Sequence, residues 1–356
     1  MITVLATIFV LGVLVFIHEL GHFLTAKLFK IRVERFSIGY PPRLIGKKVG
    51  DTDYCLSAIP FGGYVKISGM VDESLDRKQL EQPAQPWEFR AKPRIQRFAV
   101  VVAGSLMNLL LALAIFIAAT WIQGIPEPDG TVLGQVFEGK PAALAGLKPK
   151  DQIVRVDGKE IVSWNQLTET VHSSANKPLH FEWKRGDTLL SATITPIKDK
   201  IVANGDLRDA GLIGILPQYE IKKAGFFGSI GAGSKNFYYL AKLVLNSVVH
   251  LITGKESIKS LAGPIFIAKM AGESAKSGIG VLFEFMALLS LNLGILNLMP
   301  FPVLDGGHIL ILFIEAVIRR ELPVKAKMFV QQFGMILLIG LMLLAIYNDV
   351  MRIVKH

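Results

Sequence analysis

Apolar residues fall in runs long enough to cross a bilayer, and those runs set the architecture. Ile2 to Leu28 is apolar apart from threonines and His18, Glu19, His22 and Lys27, and no proline interrupts it, so the pattern predicts a first membrane helix over residues 1–28. Phe98 to Ile122 carries only Ser105, Asn108 and Thr120 as polar residues and reads as the second span, 98–122. Val281 to Leu298 is apolar with Glu284 near its start and runs into Pro300 and Pro302, which cannot continue a regular helix. It is expected to be a broken third segment, 281–320, with the break beside Asp305. Met328 to Tyr347 supplies the fourth span, within 321–356.

Between these runs the period changes. Residues 29–97 contain β-type runs at Val33 to Ile38 and Tyr54 to Ile59, with turn residues at Gly39, Pro41, Pro42, Gly46 and Gly50 and a glycine pair at Gly62 and Gly63. This predicts hairpin structure hugging the membrane. Residues 123–225 hold short β runs at Gly134 to Phe137, Ile153 to Val156, His180 to Trp183 and Ser191 to Ile194, separated by glycine and proline, as in a small separate domain. In 226–280, Phe237, Leu240, Ala241, Val244, Leu245, Val248 and Ile252 recur at helical spacing, which suits an amphipathic helix on the membrane surface followed by a connector.

Composition agrees with a multi-span protein: 51% of residues are hydrophobic and the mean hydropathy is +0.44. The net charge of +10 follows the positive-inside bias and anionic lipid better than nucleic acid, which is not expected as a partner. Lys27, Lys30, Arg32, Arg35, Arg43, Lys47 and Lys48 follow the first span, and Arg90, Lys92, Arg94 and Arg97 precede the second. That loop is expected in the cytoplasm, with both termini and residues 123–280 outside. The lone Cys55 can form no internal disulfide and no paired-thiolate metal site, so any metal must be held by histidine and carboxylate.

His18-Glu19-Leu20-Gly21-His22 is H-E-x-x-H, and a four-residue spacing brings both imidazoles to one helix face, where they can bind one ion. Glu19 can then act as general base on a water that zinc activates. Two histidines and a glutamate can also be satisfied core residues. Their placement in an apolar span weighs against that, since charged groups there cost about 2.5 to 3.5 kcal/mol each. A catalytic zinc site takes a third protein ligand. At about 1.5 Å per residue counted from Lys27, His18 lies about 14 Å and His22 about 8 Å below the cytoplasmic surface. Asp305, just after the proline break, matches that depth and is preferred; His308 is the alternative, while Glu284 and Glu315 are the other carboxylates in reach of the membrane.

The residues resemble the site-2 protease family of intramembrane metalloproteases, and within it the bacterial regulator of sigma-E protease type. The likeness spans almost the whole chain. His18 to His22 matches the family's HExxH, Asn297-Leu298-Met299-Pro300-Phe301-Pro302-Val303-Leu304-Asp305-Gly306-Gly307-His308 matches its second signature, and Ala142 to Glu160 is similar to a PDZ core. The resemblance implies zinc on His18, His22 and Asp305, Glu19 as base, and Asn292 and Asn297 holding the substrate backbone. It implies an inner-membrane protein whose substrate is a single-span membrane protein such as an anti-sigma factor. Ser105 stands where many relatives carry proline before the Asn108 position, and there is room for a single PDZ domain. The expected fold is therefore a multi-span α-helical membrane protein with four transmembrane helices, a membrane-associated β-hairpin region and an inserted α+β PDZ domain.

A helical peptide bond must be unwound before it is cut; two readings of the hairpin stand side by side, an edge that accepts the substrate as an added strand, with Tyr54 to Ile59 as the strand to test, and an ordinary cytoplasmic hairpin. The reading from another class is an inactive zinc-stapled scaffold that recruits partners through its PDZ domain. Glu19 separates the two, because a structural site needs no general base.

Overall fold

The structure is a computed structural model that describes residues 1–70, 82–203, 206–258 and 262–354. Parts of four expected regions lie outside the described residues: 71–81 of the hairpin loop, 204–205 of the inserted domain, 259–261 of the connector and 355–356 of the fourth span and tail. The chain forms two compact units, Met1–Phe116 with Ser247–His356, and Ile117–Asn246.

In the first unit, α1 (Ile2–Leu28) is a single uninterrupted helix. Lys30 takes a positive φ of 54° just beyond it, turning the chain into β1 (Val33–Val49) and β2 (Thr52–Ile67). Lys27 Nζ donates to Thr52 Oγ1 at 2.7 Å, and that hydroxyl donates to the Val33 carbonyl at 2.7 Å, which anchors the hairpin to the end of α1. Each strand folds back on itself. Phe36 pairs with both Tyr54 and Val65, and Ile38 with both Leu56 and Gly63, so the two strands make four antiparallel segments. The stretch from Tyr54 to Ile59 is interior to that arrangement, between the two halves of β1, and the segment from Gly63 to Ile67 lies at its margin. This moves the expected receiving edge from the first half of β2 to the second. Leu44, Ile45, Leu56 and Ile59 are exposed, as suits a hairpin that touches lipid.

The second span is α2 (Arg94–Gln123). In the second unit come β3 (Ile125–Val136), α3 (Pro141–Leu144), β4 (Gln152–Val156), β5 (Lys159–Glu160), α4 (Trp164–His172), β6 (Leu179–Arg185), β7 (Thr188–Ile194), β8 (Ile197–Ala203), β9 (Asp206–Leu212) and β10 (Ile215–Lys222). One sheet has the order β10-β3-β4-β6-β7 with β5 on β4, and β8 and β9 form a separate hairpin. Leu133, Ile153, Leu167, Phe181, Trp183 and Ile194 fill the core between sheet and α4. The four β runs read from the sequence fall in β3, β4, β6 and β7; β8 escapes such reading because Lys198, Asp199 and Lys200 interrupt its alternation.

The chain continues through α5 (Phe226–Ile252), α6 (Pro264–Ser277), α7 (Ile279–Asn297), α8 (Asp305–Ile318) and α9 (Val324–Val354). Among the described residues four helices, α1, α2, α7 and α9, are long and apolar enough to cross a membrane. The proline break separates α7 from α8. The expected connector contains a helix of the first unit's core: Ala271 of α6 packs with Ala6, Val10 and Leu14 of α1 and with Leu282 and Met286 of α7. Asp349 of α9 accepts the Gly263 and Phe266 N–H groups, both at 3.0 Å, and so caps α6 from across the bundle.

Glu315 is fully buried. Lys327 Nζ lies 2.6 Å from Oε1, the Leu322 N–H donates to Oε1 at 2.9 Å, and Arg97 stands 3.8 Å from Oε2. This cluster joins α2, α8 and α9 and engages the Glu315 carboxylate there. Removing one partner of a buried pair strands the other charge. Lys327→Met is therefore expected to lower stability by about 3 kcal/mol, read from thermal unfolding in detergent. In a Glu315→Gln background, where no carboxylate is stranded and Arg97 keeps Glu321 at 3.2 Å, the same substitution should have a much smaller effect.

Candidate metal and catalytic centre

His18 and His22 sit one turn apart on α1, and both rings face α2. The approach of the two helices is close because glycine faces glycine: a Cβ on Gly21 would fall on the Ala103 carbonyl, and one on Gly104 would fall on the His22 imidazole. His22 Nδ1 lies 2.8 Å from the Val100 carbonyl, so Nδ1 carries the donated proton and Nε2 is left with its lone pair.

Asp305 is the first residue of α8, where a carboxylate is favoured by the helix dipole and the free N–H groups. The preceding turn wraps tightly onto that helix start. A Cβ on Gly306 would strike the Met299 carbonyl and one on Gly307 the Phe301 carbonyl, while Gly334 of α9 leaves room for Pro302. The paired glycines after Asp305 are thus required by close backbone contact, and the turn they permit aims the carboxylate at α1.

The three side chains converge. His18 Nε2 and His22 Nε2 are 3.2 Å apart, His18 Nε2 is 3.5 Å from Asp305 Oδ2, and His22 Nε2 is 3.4 Å from Asp305 Oδ1. Ligands about 2.0–2.2 Å from a tetrahedral ion are separated by about 3.3–3.6 Å, so the spacing suits one zinc ion. Their side chains are 12%, 9% and 11% exposed, dry enough for strong coordination yet open on one side. The donor set, two imidazoles and a carboxylate, is the chemistry of a catalytic rather than a closed structural zinc site. His308, the alternative third ligand, lines the adjoining cleft, while Asp305 is the third member of the cluster.

That cleft has a volume of 620 Å³. His18, Glu19, His22, Asp305 and Asn297 line it on the helical side, and Gly63, Tyr64, Val65 and Lys66 line it on the hairpin side. Arg35 also faces it, donating to the Tyr64 hydroxyl at 2.9 Å. That hydrogen bond holds the guanidinium's pKa above its ordinary value, and Asp53 stands 3.4 Å from its Nε. The expected substrate pair divides here. Asn297 reaches the cleft, whereas the Asn292 amide donates to the Leu288 carbonyl at 2.9 Å, one turn back on its own helix, and Asn292 is outside the described lining.

Two further polar residues meet the ligands. Ser105 Oγ donates to Asp305 Oδ2 at 2.9 Å, and the Asn108 amide lies 3.3 Å from His18 Nδ1. In the sequence they stand out as polar residues in an apolar span, which marks a residue without naming its partner.

The profile described as peptidase family M50 matches residues 6–341. A Clostridium perfringens protein is 37% identical over 339 residues, 95% of each chain. The zinc metalloprotease RasP of Geobacillus kaustophilus is 30% identical over 98% of each chain, and the regulator of sigma-W protease RasP of Bacillus subtilis is 29% identical over 99% of each. Among solved structures, the PDZ domain of an SdrC-like protein from Listeria innocua is similar over 26% of this chain and 97% of its own, at 26% identity and a TM-score of 0.21.

Proposed function

Because this chain belongs to peptidase family M50, we propose that it is a zinc endopeptidase of the bacterial cytoplasmic membrane that cuts single-span membrane proteins within or next to their spans, anti-sigma factors among them. The observation that carries the reading is the convergence of His18, His22 and Asp305, from two helices of an apolar bundle, at ligand spacing. The basic residues flanking the loop of 29–97 support an active site towards the cytoplasm with both termini outside.

A zinc ion held by these three residues supplies Lewis acidity to the attacking water and the scissile carbonyl. Glu19 stands in the same cleft, next in sequence to His18. It takes the proton of the attacking water and passes it to the leaving amide nitrogen. Asn297 donates from its amide to the carbonyl oxygen as negative charge develops there.

The second half of β2 is the edge that receives the substrate. Its main-chain groups replace the hydrogen bonds a helix loses on unwinding, and an extended segment lies along Gly63 to Lys66 towards the metal. Successive residues of a strand direct their N–H groups to opposite sides. Of Tyr64→Pro and Val65→Pro, the variant that removes the cleft-facing N–H is expected to reduce cleavage about fivefold, the worth of one hydrogen bond, with bound zinc unchanged. Equal cleavage by wild type and both variants would rule out strand addition here.

The function is tested with purified protein in lipid, a panel of single-span membrane proteins and soluble peptides carrying the same cleavage sequences. Chelation should stop cleavage of the membrane substrates and added zinc restore it. Cleavage that survives complete metal removal, or that favours the soluble peptides, contradicts the reading.

A further inference from the structure

We infer that Ser105 and Asn108 are positioning residues for the metal, Ser105 fixing the Asp305 carboxylate and Asn108 fixing the protonation of His18; this rests on the metal centre proposed above. Helix α2 contributes no residue to the His18, His22 and Asp305 cluster. Val100, Gly104, Ser105 and Asn108 lie along one buried face of it, at spacings of one helical turn or next to it. From that face each of the three ligands receives a second polar contact: His22 from the Val100 carbonyl, Asp305 from Ser105 and His18 from Asn108.

Ser105 and Asn108 are completely buried. The face is also braced from behind, where Ser290 Oγ of α7 donates to the Asn108 carbonyl at 2.8 Å and Gly294 packs against Ser105 and Leu109. A polar side chain held this firmly in an apolar bundle has an orientation set by its partners.

His18 decides what Asn108 must do. Its Nε2 faces His22 and Asp305, so binding a metal there requires a bare Nε2 and puts the ring proton on Nδ1. The group opposite Nδ1 must then accept. The Asn108 amide stands there with Nδ2 at 3.3 Å, while its Oδ1 is buried without a partner. A half-turn of the amide presents Oδ1 to Nδ1–H, and oxygen and nitrogen exchange places with little change in shape. Ser105 acts on the other side of the ion: its hydroxyl holds Oδ2, leaving the carboxylate plane fixed between the two histidines. Such outer contacts raise ligand basicity and set ligand direction.

The test measures zinc affinity by competition with a chromophoric chelator, the visible absorption of the cobalt-substituted protein, and thermal unfolding of the metal-free protein. Ser105→Ala and Asn108→Leu are expected to weaken zinc binding about 10- to 100-fold each and to alter the cobalt spectrum. Asn108→Asp, which keeps an oxygen opposite Nδ1–H, should retain wild-type affinity. Variants that bind zinc as wild type does, with the same cobalt spectrum, would overturn the inference alone. So would equal losses in Asn108→Leu and Asn108→Asp that follow lowered stability of the metal-free protein, since that marks a packing role. Wild-type protein that binds no zinc overturns the metal centre itself.

Discussion

Glu19→Gln is expected to leave zinc bound and to lower proteolysis about 10²- to 10⁴-fold, the contribution of a positioned general base. The amide keeps the size and hydrogen-bonding capacity of the carboxylate but cannot take a proton. Since Glu19 lies outside the His18, His22 and Asp305 cluster, the ion's three contacts are unchanged. The measurement pairs metal content with cleavage of a single-span substrate. Equal turnover by wild type and variant would end the hydrolytic mechanism and leave the scaffold reading standing. Loss of zinc together with activity would instead move Glu19 into the coordination sphere.

Gly104→Val is expected to remove the metal without touching any residue that binds it. Even a single added carbon at this position overlaps the His22 ring, and the ring cannot yield backwards because its Nδ1 is tied to the Val100 carbonyl. The collision is with a ligand rather than with the end of a flexible side chain. Displacing it should lower zinc affinity by more than about 100-fold, the upper range for disturbing a ligand through its surroundings. Metal analysis after dialysis against a weak chelator reads the effect, with Gly12→Val as the matched control, because Gly12 has open space where its Cβ would be. Retention of full zinc by Gly104→Val would mean that α1 and α2 are not in close contact in the working protein.

Much of this arrangement was legible because the chemistry is local. The histidines read as one site since four residues on a helix is one turn, and Asp305 was found by depth, because Pro300 and Pro302 stop a span where the histidines lie. Other features are long-range and leave no local trace. Glycines at 39 and 62 suggested turns, but not that each strand would double back and make the second half of β2 the margin facing the metal. Pro264 to Ser277 lacks the hydropathy of a span, and the residue that caps it, Asp349, is on another helix far along the chain. Asn292 and Asn297 looked equivalent by type; the first is taken up by its own helix's carbonyl, a contact that side-chain chemistry alone does not announce. Ser105 and Asn108 were visible as polar intrusions, and only the crossing of α2 over α1 reveals what they touch.

The separation of the coordinating groups along the polypeptide bears on biogenesis. In synthesis His18, Glu19 and His22 of α1 precede Asp305 of α8 by the whole of the second span, the second unit and the third span. On the ligand set proposed above, a half-synthesised chain is expected to be inert, so neighbouring proteins inserted beside it would be spared. Two fragments divided between the second and third spans should each lack activity and regain it when co-inserted.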